Sequence, residues 1–157
     1  MRRSTPGDAV ALSAHMREAD RLEVQAASGR HPLGVLNEGL AISAECWTVV
    51  DDFHRVVCMW GVVPVENAIL GERVGAGWLL TSEYIELCPK AFMLACHTML
   101  PSVLRDWDVL TNWIDCRHEK AMRWATRLGF RIEPPTPFGV EDRPFCRFEV
   151  RREDLNV

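Results

Sequence analysis

The sequence predicts an α+β fold, a mixed α/β sheet with helices on both faces. Three observations predict it. Helical composition fills the first part of the chain, and β-branched and aromatic runs follow around turn residues. The remainder then alternates helix, strand, helix, strand. Residues 1–157 are long enough to bury one core, and no repeat or Gly/Ser linker divides them, so they read as a single domain.

In chain order, "STPGD" marks a helix start. Thr5 can cap, Pro6 suits the first turn, and Asp8 falls three residues after the cap. "DAVALSAHMREADRLEVQAASG" stays helical in composition up to Gly29, with a bend expected near Glu18 to Asp20. "PLGVLNEGLAISAE" adds another helix against the cost of its glycines. "CWTVV" and "HRVVCMWGVV", separated by Asp51-Asp52, predict an antiparallel hairpin. The looser residues 64–77 end in the glycine-rich Arg73 to Gly77, expected to be a flexible turn. "WLLTSEYIEL" predicts a third strand. "PKAFMLACHTMLPSVLRDW" predicts a helix with Pro89 in its first turn and a kink or split at Pro101. A short buried strand, "VLTNWID", precedes one more helix. The last strand is expected from about Pro144 to Val150, where an exposed edge would either pair with a second copy in a homodimer or simply end.

Composition excludes several function classes. With 48% hydrophobic residues, 25% charged residues and a net charge of −4, neither a general nucleic-acid binder nor an anionic-membrane binder is expected. The most apolar run, Val56 to Val65, is too short to span a bilayer and is closed by proline. Six cysteines lie scattered through apolar patterns without a CxxC pair, which reads as reduced thiols in a cytoplasm. Cys96-His97 and Cys116-Arg117-His118 lack paired ligand spacing, so no metal is expected.

The most informative stretch is "NWIDCRHEKAMRWATRLGF", Asn112 to Phe130. Ala121, Trp124, Ala125 and Leu128 form one apolar stripe, with Glu119, Lys120, Arg123 and Arg127 on the other side. Asp115 is the expected N-cap, and Gly129 permits the left-handed residue that ends a helix. If the preceding strand diverges from its neighbour, Asn112 and His118 stand at the mouth of a cleft whose unpaired amides can bond an extended ligand.

A strand ending in Asn112, a helix with small residues and a polar face, and the closing "LGF" resemble the last motif of the GNAT N-acetyltransferases, and the order of elements fits that family. "GWLLTSEYI", the stretch above and "PFG…RPFCRFEV" are in addition similar to short acetyltransferase-like proteins of podovirus-type tailed phages. Some of those are internal virion or virion-morphogenesis proteins.

The resemblance implies acetyl-CoA in a V between the fourth and fifth strands, and transfer of its acetyl group to a small-molecule or protein amine. Carried over, it makes Glu83 the base and Tyr84 the acid. Asn112 and His118 become cofactor contacts, with Lys90 near the phosphates. Each of these also reads as a solvated surface residue. Two departures stand out. "ELCPK" has no glycine where the family's phosphate-binding turn should be, and Ala125 stands where a catalytic tyrosine is common. The alternative is a non-catalytic phage protein of the same fold. It would act in virion assembly with phage structural proteins, in the host cytoplasm or the virion, and its six tryptophans are available as interface anchors.

Overall fold

Proline, acidic caps and glycine set the helix boundaries. In the computed structural model, which describes residues 1–66 and 71–155, a two-residue strand β1 (Arg2–Arg3) leads into α1 (Pro6–Ala14). The Asp8 carboxylate reaches back to accept the Thr5 backbone N–H at 2.8 Å. After a break at His15 to Arg17, α2 (Glu18–Ser28) ends at Gly29, whose φ of 66° is the left-handed conformation glycine adopts freely. α3 (Pro32–Ile42) completes the helical layer. The expected hairpin forms between β2 (Glu45–Val50) and β3 (Val56–Pro64).

β4 (Val74–Thr81) begins earlier than expected and stops sooner. The glycine-rich segment is strand because the packing demands glycine. A Cβ at Gly75 would lie 2.3 Å from Val62 Cγ1 and 3.0 Å from the Trp107 ring. Residues 67–70, within the looser segment of the sequence, lie outside the described residues. Beyond Ser82 the chain leaves the sheet. Glu83–Leu87 form a 3-10 turn rather than the end of the expected strand.

α4 (Pro89–Val103) runs on through Pro101 without splitting. The proline sits in the last turn, where its missing N–H costs a single helical bond. β5 (Val109–Asp115) leads into α5 (Glu119–Arg127), whose N-cap is His118 instead of Asp115. Asp115 organises the turn before it, with Oδ1 accepting the Arg117 N–H at 2.8 Å. Then come β6 (Arg131–Ile132), β7 (Thr136–Phe138) and β8 (Arg143–Arg151).

The strand order is β1-β2-β3-β4-β5-β8-β6, with β7 also on β8. Among the described residues only the β4–β5 pairing is parallel. β8 therefore offers no free edge of the kind expected. β5 runs along one side, and β6 and β7 pair with the other.

Alternation along β3 divides the core. Met59 packs with Leu12, Leu36 and Leu80 under α1 to α3. Cys58 packs with Ile85 and Phe92 on the other face, and Val62 with Leu104, Leu110 and Val150. All six tryptophans are partly buried. Among the described residues no helix is long and apolar enough to cross a membrane.

Candidate active site

β4 and β5 are laddered at Val74↔Val109, Gly75↔Leu110 and Ala76↔Thr111, and then part. Asn112 fastens the crotch. Its Nδ2 donates to the Gly77 carbonyl at 3.0 Å, and its Oδ1 accepts the Trp113 N–H at 2.9 Å. The Ser82 N–H bonds the Val57 carbonyl on β3, so the even-numbered residues at this end of β4 face β3 and the odd-numbered ones face the gap. Gly77 and Thr81 both spend their carbonyls there, on Asn112 and on the Arg17 N–H. Between them Leu79 turns its N–H and C=O to the opening, beyond the last rung shared with β5.

The outer end of the gap is held by the chain itself. The linker between α1 and α2 bridges β4's extension at Met16↔Ser82, with Arg17 N–H to the Thr81 carbonyl and Glu83 N–H to the His15 carbonyl, each 3.0 Å. The Arg17 side chain crosses the gap. Its Nε donates to Asp20 at 2.8 Å and its Nη2 to His118 Nε2 at 2.9 Å, with the guanidinium 5.7 Å from the Trp124 ring. Because arginine only donates, His118 accepts at Nε2 and carries its proton on Nδ1, which faces Glu23 Oε2 at 3.4 Å. Glu23 also accepts the Asp115 N–H at 3.2 Å, and Asp20 accepts the Thr81 hydroxyl at 2.9 Å. Burial raises the Glu23 carboxyl above its ordinary range, against the pull of His118.

Inward from this polar wall, a cavity of about 720 Å³ continues between the sheet and helices α4 and α5. Phe92 is the one buried side chain of α4, so the helix roofs the space without filling it.

The five residues singled out in the sequence separate into two groups. Asn112 and His118 line the same cavity. Glu83 lies on the 3-10 turn outside it, 65% exposed at its side chain and 3.4 Å from His15 Nδ1. Tyr84 follows, with its ring centroid 5.3 Å from His15 and 4.4 Å from the Arg55 guanidinium. Lys90 is exposed in the first turn of α4.

Sequence reasoning missed Arg17, Asp20 and Glu23. Their spacing of three along α2 was the available signal: it sets charges on successive turns of one helix face. Among the described residues, no group of three or more His, Cys, Asp and Glu side chains is placed to hold a metal ion.

No protein-family model matches the sequence, and no curated protein matches it. Solved structures do. The chain is similar to ribosomal-protein-alanine N-acetyltransferase from Brucella melitensis, with a TM-score of 0.72 and 12% identity over 96% of this chain and 98% of that one. It is similar to a GNAT-family acetyltransferase from Bacillus anthracis at TM-score 0.68 and 12% identity, over 97% and 93%. Spermidine N-acetyltransferase from Vibrio cholerae, solved with CoA and spermine, matches at TM-score 0.68 and 12% identity over 99% and 96%. The fold is that of the GNAT acetyltransferases.

Proposed function

We propose that the protein is an acyl-CoA-dependent N-acyltransferase whose acyl thioester lies in the gap between β4 and β5. The observation that carries this reading is the parting of those strands after Ala76 and Thr111, which leaves the Leu79 amide facing a cavity. An extended ligand can take up a strand edge of this kind. A donor fixed there can stabilise the charge that grows on a carbonyl oxygen under attack.

The residues present fit such a ligand at its thioester end. A Cβ built at Gly77 meets nothing within 4 Å, so the crotch has room beside the strand. For the phosphates, α4 offers the unpaired N–H groups of its first turn at Lys90 and Ala91, and the Lys90 ammonium. When bound, acyl-CoA supplies an activated acyl group. Leu79 would polarise its carbonyl, Asn112 would hold the crotch to width, and Glu23 beside His118 would take up the proton that the amine releases. Glu83 and Tyr84 lie past the end of β4 on the 3-10 turn and outside the cavity lining, so this reading gives them the entrance rather than the reacting atoms. The spermidine enzyme of the same fold makes a polyamine the first acceptor to try.

One observation favours a second reading, a non-catalytic scaffold of the kind some phage proteins represent. His15 to Arg17 already occupy the outer edge of β4, and no glycine turn follows it. Thermal unfolding with acetyl-CoA separates the two. A bound cofactor at a hundredfold excess over Kd adds about 2.7 kcal/mol and raises Tm by several degrees. An unchanged Tm at millimolar acetyl-CoA overturns the transferase reading.

A further inference from the structure

Acyl-CoA joins two halves of unlike chemistry, and the cavity suits one of them. The thioester and its pantetheine arm carry amides and no charge, and the Leu79 N–H and C=O on the open edge of β4 can bond such a chain as a strand would. The nucleotide carries ionised phosphates, which need cations and unspent N–H groups around them.

Cations are scarce along this cavity. Among the described residues, Asp20, Glu23, Asp51 and Asp52 line it, and Arg17 is the one arginine or lysine that does so. Arg17 is already spent, on Asp20 at 2.8 Å and on His118 at 2.9 Å. Asp51 and Asp52 stand on the β2–β3 turn, where Arg55 Nε donates to Asp51 at 2.7 Å. They share the cavity wall with Cys88 and Ala91 at the start of α4, the end where phosphates would lie. Lys120, at the start of α5, is paired with Glu86 at 2.8 Å.

The backbone offers little more. Between β4 and α4, the Ser82 N–H donates to the Val57 carbonyl, Glu83 to His15, Ile85 to Ser82 and Cys88 to Ile85, at 2.9 to 3.2 Å. Pro89 has no N–H to give. What remains is the first turn of α4 with Lys90, beside a wall whose carboxylates repel an anion.

We propose that the donor is recognised through its pantetheine thioester, and that the nucleotide of CoA adds next to nothing to binding. This rests on the transferase reading above and names its donor class, acyl-pantetheine thioesters. A chain that makes no use of the phosphates has no need of a glycine turn beside them, and "ELCPK" holds none.

The test is calorimetric titration of the full chain with acetyl-CoA and with S-acetylpantetheine, in the absence of an amine. The two affinities are expected to lie within about fivefold, since one charge-assisted hydrogen bond to a phosphate would by itself separate them by about tenfold. Asp52→Lys exchanges an exposed carboxylate on the cavity wall for an ammonium. It is expected to tighten acetyl-CoA by about threefold or more at low salt and to leave S-acetylpantetheine unchanged. Acetyl-CoA bound more than about fivefold tighter by the unaltered protein overturns the inference and leaves the transferase reading in place. An Asp52→Lys variant that melts as a folded protein and gains nothing toward acetyl-CoA also overturns it. Binding of neither thioester removes the transferase reading, and this inference with it.

Discussion

At Asp8, burial and ionisation pull in opposite directions. Burial raises the carboxyl, but the Arg2 guanidinium at 2.6 and 2.7 Å, with the Thr5 N–H and hydroxyl, brings its pKa down to about 2. A folded-state pKa below the unfolded value of about 3.9 contributes stability that is complete above that value and disappears as pH falls toward 2. Asp8→Asn should therefore lose on the order of 2 kcal/mol at neutral pH and show a flatter urea-unfolding profile between about pH 4 and 2. An unchanged profile would remove Asp8 from the acid response. Arg17 carries a larger penalty. It is 10% exposed at its side chain and faces Asp20 at 3%. Arg17→Met strands a buried carboxylate and leaves His118 Nε2 without its donor, which should cost about 3 kcal/mol or more. Arg131→Ala, at an ion pair whose arginine is 70% exposed, should change stability by less than about 0.5 kcal/mol.

For the elements, hydrogen exchange reads the two kinds of edge on β4 separately. The Arg17 and Glu83 amides are bonded across the Met16↔Ser82 bridge and should exchange slowly. The Leu79 amide should exchange fast in the free protein and slow markedly when an acyl-CoA is added. Slow exchange at Leu79 without ligand would mean that the edge is closed. Much at this scale was legible in the sequence. Thr5-Pro6-Asp8 and Gly29 announce helix ends through short-range chemistry, and Asp51-Asp52 announces a hairpin. β4 was misplaced because Gly75 and Gly77 carry turn signals, while the reason for Gly75 lies far away in sequence, at Val62 and Trp107. The 3-10 turn at Glu83–Leu87 was hidden by residues that alternate like a strand. In the candidate site, Asn112 and His118 stood out because they flank a strand-to-helix join. Arg17, Asp20 and Glu23 looked like an ordinary solvated helix face, since nothing local reports that β4 and α5 cover them.

On the scale of the whole molecule, six thiols are distributed through the fold without a disulfide, and one pair is close. Cys116 Sγ lies 3.1 Å from Cys146 Sγ. Burial, and the neighbouring Cys146, push the Cys116 thiol up to about 11. Oxidation by diamide should therefore be slow near neutral pH and faster at alkaline pH, where more thiolate is present. Peptide mapping should find a cross-link between residues 116 and 146. Equal oxidation rates across that range would contradict the raised thiol.

The position of β8 has a consequence for biogenesis. A ribosome delivers Arg143–Arg151 after the strands on either side of it, so a nascent chain stalled before that point holds a vacant slot flanked by β5. Exposed hydrogen-bonding edges of this kind invite self-association. The most aggregation-prone moment in the life of the protein then falls just before synthesis reaches its interior strand.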